Sequence, residues 1–197
     1  MGALEYMSVF RVRIPINRVG VLIGAKGEVK RAIEDKCHVR LNIDSSSGDV
    51  EITPADDGDV LSPLIAKNVV LAIGRGFSPE KAFKLLEEDT MFEILDLRND
   101  YGLNENAIRR IQGRIIGREG KARKMIEELT GVYISVYGNT VSLIGKSPWF
   151  EVAREAIQML IEGRQHSTVY KYLTRERKRI KRLEMDIWEK PSEASKV

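Results

Sequence analysis

Cysteine is almost missing from this chain. Cys37 is the single thiol among 197 residues, which rules out an internal disulfide framework and suits a reducing compartment. Histidine is nearly as scarce. His38 and His166 alone leave too few ligands for a zinc site, and neither a metal nor another cofactor is expected. No run of eighteen apolar residues occurs, so nothing is expected to span or join a membrane. The N-terminus lacks the basic-then-apolar pattern of a signal peptide, and Tyr6 stands where myristoylation after Gly2 needs Ser or Thr. A cytoplasmic location follows as the expectation. No His–Cys pair or Ser–His–Asp set is visible, and catalysis is not expected.

What is present is apolar mass and charge. The chain is 43% hydrophobic, enough for a core, and 31% charged. The net charge of +3 says little, but its distribution says more. Six acids and no Lys or Arg fall between Asp44 and Asp59, whereas eight basic residues face Glu176 alone between Arg164 and Arg182. Such separation gives one pole that attracts polyanions and one that does not.

The organising stretch runs from Ile111 to Leu129. Gly117 and Gly120 bracket two polar residues between helical patterns: Ile111, Ile115 and Ile116 before them, Ala122, Met125, Ile126 and Leu129 after. Glycines let the backbone bend where side chains would collide, and bare amides at a helix N-terminus attract phosphate. Arg114, Arg118, Lys121, Arg123 and Lys124 supply charge of the matching sign. A shift of ninety-three residues lays Gly20, Ile23, Gly24, Gly27, Ile33, Glu34 and Val39 on Gly113, Ile116, Gly117, Gly120, Ile126, Glu127 and Val132. A repeat of that length is a duplicated small domain rather than a solenoid unit.

The periodicity predicts the same order twice. Residues 8 to 14 alternate as a strand, Asn17 caps a short helix into the first glycine loop, and a second helix carries Val29, Ala32 and Ile33 inward. Val39, Leu41 and Ile43 alternate as a strand, and the Ser45–Gly48 turn leads to a return strand at Val50–Ile52. A helix over 61–75 follows, with Leu61, Leu64, Ile65, Val69, Ala72 and Ile73 as its apolar set. Ser78 and Pro79 open a short linker helix. The second copy brings a strand at 92–97, a helix from Asn104, the second loop, a helix to Gly131, a hairpin turning at Gly138–Asn139, and a helix after Pro148. The predicted division is a first domain over 7–76, a linker helix over 77–90, a second domain over 91–163, a basic amphipathic helix over 164–188 and a disordered tail over 189–197.

Ile-Gly-x-x-Gly between two helices, found at Ile23–Gly27 and at Ile116–Gly120, resembles the KH domain, a module for single-stranded nucleic acid. The order β-α-α-β-β-α resembles its type I, eukaryotic form. The fold implied is α+β: two KH domains, each with a three-stranded antiparallel sheet, plus the basic C-terminal helix. In that family the loop clamps the backbone of about four nucleotides. Carried onto this sequence, the first RNA-binding set is Leu22, Ile23, Gly24, Ala25, Lys26, Gly27, Lys30, Arg31 and Arg40. The second is Arg114, Ile115, Ile116, Gly117, Arg118, Glu119, Gly120, Lys121, Lys124 and Tyr133. Glu119 departs from the pattern, since a carboxylate there repels phosphate. Arg175, Lys178, Arg179 and Arg182 on the C-terminal helix extend the basic surface. Each feature also has a plainer reading: the isoleucines as core, Tyr133 and Tyr137 as packing residues, the basic helix as a solvated face, Cys37 as a small buried hydrophobe.

A P-loop is excluded. Seven positions separate Gly113 from Gly120, Ala122 replaces the required Ser or Thr, and a helix rather than a strand leads in. Two KH domains followed by a short basic helix resemble the small-subunit ribosome-assembly factors known as partner of the Nob endonuclease. That resemblance implies binding of small-subunit ribosomal RNA near its 3′ end. The protein partners it implies are the Nob endonuclease and the alpha subunit of initiation factor two. A second reading is a scaffold in which one KH domain holds RNA and the other a protein. A third, an accessory subunit of an RNA-degrading complex, usually calls for an S1-type barrel, and no sequence is left over for one.

Overall fold

The computed structural model describes residues 9–55 and 61–189. The first predicted boundary at residue 7, the acids Asp56, Asp57 and Asp59, and the tail from residue 190 lie outside the described residues. The elements of the first repeat are β1 (Phe10–Arg13), α1 (Ile16–Ile23), α2 (Glu28–Cys37), β2 (Val39–Ile43), β3 (Asp49–Pro54) and α3 (Ser62–Gly74). A connecting helix α4 (Pro79–Ala82) follows. The second repeat then supplies β4 (Thr90–Asp96), α5 (Glu105–Ile116), α6 (Lys121–Thr130), β5 (Tyr133–Tyr137), β6 (Thr140–Lys146) and α7 (Trp149–Ile161), and α8 (His166–Glu189) ends the series. Each glycine loop is a single 3-10 turn between two helices. This is the α+β, type I KH arrangement, twice.

Both sheets have three strands, in the orders β1-β3-β2 and β4-β6-β5. In the first, β3 pairs antiparallel with both neighbours, placing Ile52 opposite Phe10 and Leu41. Val39, Leu41, Val50 and Ile52 turn to the buried face because side chains alternate along a strand. Ile33, Ala66, Val69 and Ile73 from α2 and α3 share that core. Cys37 is buried too, and desolvation pushes its thiol up to about 11.

By compactness the chain divides into Met1–Asp96 with Ser135–Ile144, and Leu97–Ile134 with Gly145–Val197. The division does not follow the repeats. Within the first unit, Ser135 Oγ donates to the Arg75 carbonyl at 2.7 Å and Tyr137 Oη to Asn17 Oδ1 at 2.7 Å. Asn17 is therefore not the predicted cap: α1 starts after Pro15 with no side-chain cap, and Asn17 lies inside the helix. Arg18 donates to the carbonyls of Ile73 (2.8 Å) and Phe77 (2.7 Å), placing a cation at the negative end of α3. The apolar set expected on α3 is also corrected. Leu61, Leu64 and Ile65 are exposed, and Pro63, Ala66 and Val70 are buried with Val69 and Ile73.

The second unit is a helical layer. α7 and α8 pack together, α6 contacts both, and α5 packs on α6 and α7. α8 spans 24 residues, about 36 Å at 1.5 Å per residue, and buries Val169, Leu173, Glu176 and Ile180 along one stripe.

Candidate nucleic-acid interface

Each glycine loop begins where a helix ends. Gly24 N–H donates to Gly20 O at 3.0 Å, Gly117 N–H to Gly113 O at 2.9 Å, and the chain then turns away. Gly24 adopts φ 74, ψ 175 and Gly117 adopts φ 73, ψ 174, a region closed to other residues. A Cβ at Gly24 would lie 2.8 Å from the Val29 amide nitrogen; at Gly117 it would lie 2.8 Å from the Ala122 nitrogen. Gly27 (φ 79) and Gly120 (φ 75) are left-handed, and the residues before them, Lys26 (φ 51) and Glu119 (φ 54), are left-handed as well. Matching dihedrals from unlike side chains mean that the glycines set the path.

The loop opens on an uncapped helix. Gly27 and Gly120 precede α2 and α6 and offer no side-chain acceptor; the first amide of each helix, Glu28 or Lys121, turns back to the carbonyl of Ala25 or Arg118, and the amides after it have no side-chain cap. Orphan amides at the positive end of a helix dipole form a site for an anion. Around the first loop, Ala25 and Lys26 are exposed, and the Arg31 guanidinium hangs over Gly27, within 3.6 Å of where a Cβ would stand. Around the second, Arg118, Lys121 and Lys124 are exposed. Lys121 Nζ lies 3.4 Å from Glu119 Oε2 and Lys124 Nζ 3.7 Å from Glu128 Oε1. The unexpected carboxylate is thus turned to a neighbouring ammonium.

The glutamate shared by both repeats has a defined task. Glu34 Oε1 accepts the Leu41 N–H at 2.8 Å, and Glu127 Oε1 accepts the Ile134 N–H at 2.8 Å. In the first sheet, Asp44 N–H bonds to Asp49 O and Ala55 N–H to His38 O. Alternation from those pairs points the Leu41 amide away from β3, out of the sheet edge. The carboxylate fills that edge position and ties the helix after the loop to the strand beside it. A base sits four residues earlier each time: Lys30 Nζ is 3.8 Å from Glu34, and Arg123 Nε is 3.8 Å from Glu127. Sequence reasoning assigned Arg123 only general charge; its offset of ninety-three residues from Lys30 was the signal for more.

The remaining candidates divide. Ile23 and Ile116 are half-buried and border the loops, and Arg40 and Tyr133 are accessible on β2 and β5. Leu22 and Ile115 have no exposed surface, so they are core rather than groove floor. The one-residue offset follows from helix rotation: of two adjacent apolar residues, only one turns to the buried side. Arg114 is redirected as well. Its Nη2 donates to the Arg164 carbonyl and its Nε to the Leu160 carbonyl at 3.4 Å, while His166 Nε2 lies 2.8 Å from the Arg114 carbonyl. Arg114 therefore fastens the turn between α7 and α8 to α5. On α8, Arg175 and Arg179 hold Glu176, at 3.1 and 2.6 Å, while Lys178 and Arg182 are exposed. Those contacts keep the Glu176 carboxyl below its ordinary range, Arg179 chiefly. Among the described residues no helix is long and apolar enough to cross a membrane.

Residues 91–178 match the Eukaryotic type KH-domain (KH-domain type I) family, in its PNO1 second-domain form, and residues 9–60 match the KH domain family. A KH domain-containing protein of Methanocaldococcus jannaschii is 46% identical over 94% of this chain and 82% of its own length. The pre-rRNA-processing protein PNO1 of Chaetomium thermophilum is 35% identical over 53% of this chain and 41% of its own length. A solved complex of Dim2p, eIF2alpha and rRNA from Pyrococcus horikoshii contains a chain 44% identical. It covers 88% of this chain and 96% of the other, with a TM-score of 0.82. The chain belongs to the tandem KH-domain family of ribosome-assembly factors that includes Dim2p and PNO1.

Proposed function

We propose that this chain is a non-catalytic assembly factor that holds single-stranded small-subunit ribosomal RNA near its 3′ end, using both KH grooves. The observation that carries the reading is the pair of superposable glycine turns, each facing an uncapped helix and ringed by exposed cations. The relatives support the choice of RNA: PNO1 is a pre-rRNA-processing protein, and Dim2p occurs in a complex with rRNA and eIF2alpha. A Nob-type endonuclease and the alpha subunit of initiation factor two are the protein partners this reading names. The domain limits that go with it are 7–76 and 91–163, and the cytoplasm is the compartment. Two equally formed loops favour two RNA grooves over a scaffold in which one domain has turned to protein.

The test uses Gly27→Asp and Gly120→Asp. Left-handed backbone tolerates Asp better than the extended positive-φ position of Gly24 and Gly117, so the fold survives while a carboxylate enters the phosphate site. Binding of labelled single-stranded RNA should fall about tenfold or more, and wild-type affinity should fall as salt rises. Undiminished binding by the double variant overturns the reading. Sequencing RNA cross-linked to the protein in cells then checks the 3′-end assignment.

A further inference from the structure

α8 carries two rows of residues on opposite sides. Val169, Leu173, Glu176 and Ile180 face inward and are buried. Ser167, Lys171, Thr174 and Lys178 repeat the same spacing two residues earlier, about 200° around a helix of 3.6 residues per turn, and are exposed. With Tyr170 and Arg175 they line a shallow cleft of about 450 Å³. The cleft combines two ammonium groups, two hydroxyls, a guanidinium and a half-buried phenol ring, and the carboxylate of Glu176 on the same helix is buried and held by Arg175 and Arg179. The phenol ring of Tyr170 has the His166 ring as neighbour at 6.1 Å, tilted by 49°. Arg114 and His166 fix the start of this helix to the end of α5, three residues before Gly117.

The geometry points to a second RNA-contact surface here. RNA leaving the second glycine loop runs onto the outer face of α8, where Lys171 and Lys178 hold backbone phosphates and Tyr170 stacks with one base. This rests on the RNA-binding reading above and extends it past the KH groove. Seven residues separate the two lysines, about 10.5 Å along the axis, far enough apart to hold separate phosphates rather than one. An aromatic face beside cations is how single strands are held without sequence preference, so the surface adds affinity rather than base choice.

The test compares two labelled oligouridines, of about 6 and about 20 nucleotides, on the full chain, since a KH groove covers about four. The variant Lys171→Glu should leave the short RNA unchanged and weaken the long one about fivefold, with the salt slope falling by about 0.7 for one lost phosphate contact. Tyr170→Ala should weaken the long RNA about tenfold by removing a stacking face, and Tyr170→Phe should restore it. Unchanged affinity and slope for the long RNA overturn the proposal and leave this face to an acidic protein. Equal loss on both lengths overturns it too. Failure of the broader reading looks different: Gly120→Asp with Gly27→Asp would then leave even the short RNA bound.

Discussion

The two glycine loops have nearly the same backbone and opposite local charge order. In the first, Lys26 occupies the left-handed position and Glu28 opens the next helix; in the second, Glu119 occupies it and Lys121 opens the helix. At these two positions each copy has one acid and one base, exchanged, and the second loop adds Arg118 where the first has Ala25. Between the copies, the path of the chain is fixed by glycine while the side chains on it vary. Shape is therefore the shared property of the loops, and electrostatics is what distinguishes them.

The largest effect separates the first glycine of each loop from the last. Gly24→Ala and Gly117→Ala put a Cβ against a backbone nitrogen at a φ/ψ closed to alanine, and each should cost about 3 kcal/mol of stability. Gly120→Ala enters open space in the left-handed region and should cost about 1 kcal/mol. Denaturant midpoints measure both; equal losses at Gly117 and Gly120 would erase the distinction. Next come the edge carboxylates. Glu34→Ala and Glu127→Ala each orphan a strand amide and should cost about 1–2 kcal/mol. Amide exchange should accelerate at Leu41 in the first variant and Ile134 in the second, and protection kept at both would refute the shared role.

A smaller effect belongs to the second unit alone. Glu176→Gln should loosen α8 by about 1 kcal/mol at neutral pH. The native carboxyl titrates below its ordinary 4.5, so its contribution is complete above that value and is lost as pH falls through the lower native one. Thermal melts of wild type and variant should converge in acid; a constant gap would place the contribution in packing. The smallest effect is on charge only. Lys26→Glu should lower the salt slope of RNA binding by about 0.7 and Glu119→Lys should raise it by the same amount. Both variants should melt with wild type, because these side chains are exposed.

How much of this was legible in the sequence varies with the kind of interaction. The loops, the strand and helix order and the Ser78 cap follow local rules, and local rules read well from a single chain. Glu34 and Glu127 were visible as an identity but not as an edge cap, because the amide each serves is seven residues away across a turn. Asn17 is no cap because α1 begins before it, and its side-chain oxygen instead accepts from Tyr137, 120 residues distant. Arg114 sits among the cations of the second loop, yet its partners come from residues 160 and 164. Leu22 and Ile23 are neighbours of like polarity, and only the packing of α1 on α2 and α3 decides which one is hidden.

The carboxylate at the sheet border has a consequence for how these molecules behave in a crowd. β2 and β5 each end a three-stranded sheet, and a bare border strand is a template on which another chain can lay its own backbone. Glu34 and Glu127 occupy a donor on that template in advance, with an acceptor that cannot itself propagate a ladder. The same side chain that braces the helix after each glycine loop against its strand therefore also discourages strand-by-strand polymerisation of the protein.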